Sequence, residues 1–180
     1  MNNFAEIILV ERFDKVTYYT VSINEDISLF RKFLNKHSIE NKEKFYHIMA
    51  WIEKIGDKVG AYDTYFRNEA EIADARALPP EGVNREPTYV AMDVLTDEEL
   101  NVPNNLRLYC MKANESVVFL FNGEIKTAAK AQDCDNVRPH FKLANKLTKL
   151  IDQAFIQKEI KWNKDCTDII VEEGFILEWD

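Results

Sequence analysis

The sequence predicts an α+β domain in which helices pack on one face of a mainly antiparallel sheet. Three observations predict it. Two β-prone runs, residues 4–10 and 16–23, open the chain, and two amphipathic segments follow them. A second pair of β-prone runs, Leu106–Lys112 and residues 116–121, leads into one long amphipathic segment and a last pair of short apolar runs. At 180 residues the chain fits one domain, since a domain usually takes roughly 100–200 residues. The polar stretch 80–104, with Pro80, Pro87 and Pro103, and the acidic stretch 165–180 read as elaborations of it.

Each element has its own signal. Residues 16–23 (VTYYTVSI) are rich in β-branched and aromatic side chains, and Asp14-Lys15 offers a turn back to the first run. Asn24 or Asp26 offers an N-cap, and Ile27, Phe30, Phe33 and Leu34 recur at helical spacing, so residues 26–36 read as a helix. Ser38 restarts the pattern. Ile39, Phe45, Ile48, Met49, Ile52 and Ile55 form one stripe, and Gly56 stands where a helix end favours glycine. Gly60 breaks the chain, and Tyr62, Tyr65, Phe66 and Glu69 suggest a short helix or turn ended by Pro79-Pro80. Within the polar stretch, residues 89–95 read as an edge strand and Thr96-Asp97-Glu98-Glu99 as a capping box.

Leu106–Lys112 alternates apolar and polar residues, Ala113-Asn114-Glu115 turns, and residues 116–121 (SVVFLF) read as a central strand closed by Asn122-Gly123. Residues 137–160 read as a long helix burying Phe141, Ala144, Leu147, Leu150, Ile151 and Ala154. Residues 168–171 and 175–179 flank Glu172-Glu173-Gly174 as a C-terminal hairpin.

Composition narrows the function classes. The longest uncharged apolar stretch, residues 117–121, is far short of the roughly 18–20 residues that span a bilayer. The start has no basic segment, and its apolar run, residues 7–10, is too short for a signal peptide. A cytoplasmic protein without a membrane partner is expected. Cys110, Cys134 and Cys166 are odd in number and lack metal-ligand spacing, so they read as reduced, small buried hydrophobes; no metal and no cofactor are expected. The net charge of −8 is uneven: −7 over residues 1–104, +5 over 105–164 and −6 over 165–180. Such asymmetry marks either a polyanion-facing surface or a solvated helix, because Lys142, Lys146 and Lys149 share a helical face.

No nucleophile elbow, phosphate-binding loop, glycine-rich dinucleotide motif or metal-spaced histidine pair occurs. His37 and His47 read as surface or boundary residues, and His140, beside Arg138 and Lys142, as a candidate acid or base. What remains is a set of cations on the second strand pair. Arg107 and Tyr109 share one strand face, with Leu106 and Leu108 on the other. Lys126 and Lys130 follow the next strand. Arginine grips phosphate oxygens with a fork of donors, lysine adds a point charge, and tyrosine stacks a base or donates a proton. The competing reading is an exposed sheet face carrying snorkelling cations.

Phe66-Arg67-Asn68-Glu69, Ala77-Leu78-Pro79, Leu106-Arg107-Leu108-Tyr109-Cys110 and Asn122-Gly123-Glu124-Ile125-Lys126-Thr127 come in an order that resembles RelE/ParE-like toxins, in particular the HigB-like branch of bacterial toxin–antitoxin loci. The resemblance covers roughly residues 26–155, by element order more than by identity. It implies a helical hairpin before an antiparallel sheet and a metal-free mRNA endoribonuclease acting on the ribosome. In that reaction the 2′-hydroxyl attacks the neighbouring phosphate, which needs positive groups around the developing dianion. The resemblance assigns Arg107 and Lys126 to that charge, Tyr109 or His140 to proton transfer or stacking, and Arg67, Lys130, Arg138 and Lys142 to RNA. It also implies an antitoxin partner of the helix-turn-helix kind. The chain departs from the pattern in its net charge of −8, and in placing Ile125 and Thr127 around Lys126 where the family has a second lysine. The alternative is a non-catalytic protein-binding module on the same fold. A third reading, an enzyme for small phosphorylated substrates, requires a deep pocket between residues 62–79 and the second strand pair.

Overall fold

A computed structural model describes residues 1–70, 73–81 and 104–180. The edge strand and capping box read within residues 89–99 lie outside them. Among the described residues the protein is α+β, with three α-helices, a six-stranded sheet and a separate two-stranded one.

The first hairpin forms as expected, from β1 (Asn3–Arg12) and β2 (Thr17–Ile23). Asn24 and Glu25 take positive φ and turn the chain out of β2, and the Asn24 side chain is spent on the Phe4 N–H. The cap of α1 (Leu29–Glu40) therefore falls on Ser28, whose Oγ accepts from Arg31 N at 3.2 Å, rather than on Asn24 or Asp26. Helix α2 (Lys42–Lys54) follows one residue after Asn41. Phe33, Ile48 and Ile55 are fully buried. Each contributes roughly 1.5–3 kcal/mol, against roughly 0.3–0.5 kcal/mol for an exposed helical pair such as Lys36–Glu40, so the apolar stripe holds this helical hairpin. Ile39, expected in that stripe, is 81% exposed because it sits at the turn between the helices.

Gly56 does not cap α2. The helix runs on through a π-turn at Ile55–Val59 and ends at Gly60, whose φ is +91°. Gly56 is small for a different reason: a Cβ there would meet the Phe13 ring at 2.7 Å. A short 3₁₀ turn, Asp63–Tyr65, leads to Arg67, which bridges to Ala77 in β3 (Arg76–Leu78).

The sheet order is β3-β4-β5-β2-β1-β8, with β4 (Leu106–Lys112), β5 (Val117–Ile125) and β8 (Leu177–Trp179). Every pairing is antiparallel except the central β2–β5 pair, which joins Tyr19 to Phe119 in parallel. Both faces of these central strands are apolar. Tyr18, Val118 and Leu120 pack with α1 and α2, whereas Tyr19, Val117 and Phe119 pack with α3 (Arg138–Ile156). Helices therefore cover both faces, not one, because a strand that is apolar on both sides must be covered on both.

Two further expectations change at the C-terminal end. Helix α3 stops at Ile156, with Lys158 at positive φ and Glu159 N bonded to Ala154 O, a left-handed cap made without glycine. Ile160 then starts β6 (Ile160–Trp162), which pairs with β7 (Ile169–Val171). The expected C-terminal hairpin does not form: β7 stays with β6, and β8 crosses to pair with Asn3–Ala5 of β1.

Candidate functional site

Strand β4 alternates regularly. Leu106, Leu108 and Cys110 face the helical hairpin, and Tyr109 and Met111 face α3, with Arg107 on their side. Strand β5 is bulged, because Phe121 and Asn122 together oppose Tyr109. Beyond the bulge the faces exchange. Phe121 packs towards α3, but Ile125 packs towards the helical hairpin. Asn122-Gly123 thus lies inside β5 rather than closing it. Gly123 is paired to Leu108, where a Cβ would stand 1.7 Å from Arg107 O, and Glu124 is paired to Arg107.

This register delivers Arg107 and Lys126 to one carboxylate. Arg107 Nε donates to Glu69 Oε1 at 2.7 Å, and Lys126 Nζ donates to Glu69 Oε2. Arg107 Nη1 also donates to Asn104 O at 2.7 Å. The side chains of Glu69, Arg107 and Lys126 are 2%, 8% and 12% exposed, so the expected exposed face of cations is instead a buried ion cluster. Arg67 borders it. Its Nε and Nη2 donate to Pro79 O and Pro80 O, both at 3.1 Å, and burial together with the Arg107 charge lowers its pKa. Arg67 makes no ion pair among the described residues, but it feels the Glu81 carboxylate as well as that of Glu69, so three cations, Arg67, Arg107 and Lys126, face two carboxylates here.

Tyr109 shares the Arg107 face as expected but is fully buried, its ring tilted against Phe141 at 5.6 Å between ring centres. Its hydroxyl has no hydrogen-bond partner among the described residues. Burial and the Glu69 carboxylate push its pKa up.

Cys134 lies nearby in the core, just before the N-terminus of α3. Burial alone would raise its thiol. Donation from the Thr127 N–H and hydroxyl, at 3.3 and 3.4 Å, and from the N–H groups of Val137 and Asn136 outweighs it and brings the pKa to about 6. Cys110 is buried as expected, whereas Cys166 is exposed.

His140 belongs to a different cluster. It is partly buried in the first turn of α3, burial lowers its pKa, and it feels Glu124, Lys36 and His37. His37 is a core residue, not a boundary one. It is fully buried, its Nε2–H donates to Gly123 O at 3.2 Å, and its Nδ1 accepts from Asn41 Nδ2 at 2.9 Å. Lys130 and Lys142 are exposed, and Arg138 is tied to Asp135 at 2.9 Å and to Gln132 O. These three cations therefore lie outside the buried cluster.

The residue that sequence reasoning left without a role is Glu69. It stood within the quoted Phe66-Arg67-Asn68-Glu69 motif, yet one carboxylate among 31 acidic residues carries no signal of its own. Between residues 63–76 and the β4–β5 turn there is an open, polar depression of about 380 Å³, in which Lys112 pairs with Asp63 at 2.9 Å. It is shallow and lies at the end of β4 away from Arg107. Among the described residues, no three His, Cys, Asp or Glu side chains gather as a metal site. No family model matches the chain, and neither a curated protein nor a solved structure matches it.

Proposed function

We propose that this protein is a RelE/ParE-like toxin of the HigB-like branch, a metal-free endoribonuclease for mRNA on the ribosome, paired with an antitoxin. One observation carries this reading: Arg107 and Lys126 converge on Glu69 beside a tyrosine hydroxyl that has no partner among the described residues. The set suits transesterification of RNA. Glu69 takes the proton of the attacking 2′-hydroxyl, and Arg107, Lys126 and Arg67 face the dianionic phosphorane. Tyr109 returns a proton to the departing 5′-oxygen, leaving a 2′,3′-cyclic phosphate and a 5′-hydroxyl. Among the described residues the cluster has one more cation than carboxylate, which favours an anion at this place, because buried charge is costly unless paired.

A second reading, a non-catalytic protein-binding module, is favoured by the burial of the same cluster. With Glu69 already paired to both Arg107 and Lys126 at 2–12% exposure, a phosphate has to displace an internal ion pair to reach them.

Induced expression in a bacterial host separates the two. The comparison is wild type against Arg107→Ala/Lys126→Ala and against Tyr109→Phe, following growth and mapping new mRNA 5′ ends. Growth arrest with new 5′ ends, lost in the double variant and weakened in Tyr109→Phe at undiminished stability, supports the ribonuclease. Normal growth with soluble, folded wild type assigns the chain to the binding module.

A further inference from the structure

The sheet has one open edge among the described residues. On the β3 side, Arg67 N donates to Ala77 O at 2.8 Å and accepts through its own carbonyl from Ala77 N at 2.9 Å, so that edge is covered. On the other side β8 covers only Asn3–Ala5 of the ten-residue β1. Phe4 O accepts from Asn24 N, so alternation aims the backbone groups of Phe4, Glu6 and Ile8 at β2, and those of Ile7 and Leu9 outward. Among the described residues no strand pairs with Ile7 or Leu9 on that outward side. The side chains there are apolar and wet, with Ile8 38% and Leu9 42% exposed.

An unpaired edge with an apolar run invites another strand. Its electrostatics say which kind. Glu6 and Glu11 bracket the run, both are exposed, and neither has a cationic partner among the described residues. Arg12, the nearest cation, is paired to Asp168 at 2.9 Å. The β1 edge of a second copy would bring the same two carboxylates and, as its cation, Arg12, which is already paired to Asp168. We propose that residues 6–11 of β1 accept an extended segment of a protein partner, apolar at its centre and carrying lysine or arginine at both ends. Main-chain bonds to Ile7 and Leu9 provide the affinity, and Glu6 and Glu11 select the flanks. The register shift between Leu9 and Glu11 ends the ladder and limits the added strand to a few residues. The inference rests on the protein-partner part of the reading above and holds whether or not the chain cleaves RNA.

The test is fluorescence anisotropy on the full chain with a labelled Lys-Ile-Val-Thr-Val-Ile-Lys peptide and the same peptide ending in glutamates. The lysine peptide is expected to bind at least tenfold tighter, and to slow amide exchange at Ile7 and Leu9 at least tenfold. Glu6→Lys/Glu11→Lys is expected to reverse the preference. Leu9→Pro, whose lost N–H faces outward, is expected to abolish binding with little change in melting temperature and no change in growth arrest. Equal or absent binding of the two peptides overturns the proposal, as does a concentration-dependent dimer whose protected amides are Ile7 and Leu9. Because growth arrest is read separately, peptide failure with arrest intact removes this inference and leaves the ribonuclease reading standing.

Discussion

Glu69 and Arg107 meet at 2.7 Å across a separation of 38 residues, and their side chains are 2% and 8% exposed. A buried carboxylate held by arginine and lysine is costly to disturb from one side. Glu69→Gln leaves Arg107 and Lys126 buried without a counter-charge and is expected to destabilise the fold by about 3–5 kcal/mol. Urea unfolding measures this; a loss under about 1 kcal/mol would mean that the cluster hydrates freely.

Tyr109→Phe is expected to act in the opposite direction. The buried hydroxyl makes no bond among the described residues, so removing it relieves an unpaid desolvation cost and raises stability by about 1 kcal/mol. A fall in stability under the same conditions would show that the hydroxyl is bonded in solution. Gained stability with lost ribonuclease activity would mark a group kept for chemistry.

His37 ties stability to pH. Burial lowers its folded pKa below the ordinary 6.5, against the opposing pull of Glu124 and Glu40 and together with Lys36. On acidification the unfolded chain therefore takes the proton first. The His37 contribution is complete above about pH 6.5 and is lost as pH falls through the folded pKa. Denaturant midpoints at pH 8 and pH 5.5 should differ in wild type, and the difference should shrink in His37→Gln; an unchanged difference would place the pH response elsewhere.

Cys134 is expected to be a thiolate at neutral pH. With a pKa of about 6, its absorbance at 240 nm should titrate between about pH 5 and 7 and vanish in Cys134→Ser. A titration near the ordinary thiol value would show that the donors from Thr127, Asn136 and Val137 do not hold the sulfur.

Much of the architecture was legible because it is written in local periods. β2 and β4 announced themselves by β-branched and alternating residues, α2 by its Phe45–Ile48–Ile52 stripe, and α3 by its buried face from Phe141 to Ala154. What failed to show was non-local. The cap at Lys158 lacks the glycine that would have ended α3 on paper, and nothing near Gly174 says that β7 and β8 go to different sheets. Of the candidate site, Arg107, Lys126 and Tyr109 were legible as neighbours on adjoining strands. Their burial was not, since it depends on α3 folding over that face.

The sequence by itself determined the α+β class, the order of the main elements β1, β2, α1, α2, β4, β5 and α3, and the concentration of cations after residue 105. These follow from side-chain period, turn chemistry and charge, which act over a few residues. The tertiary structure alone decided that Glu69 closes on Arg107 and Lys126, that one bulged residue in β5 exchanges the faces beyond Phe121, and that β1 is left with an open edge. Each of these depends on which strand lies beside which, a choice made by burial on both faces of the sheet and carried by no local stretch of chain.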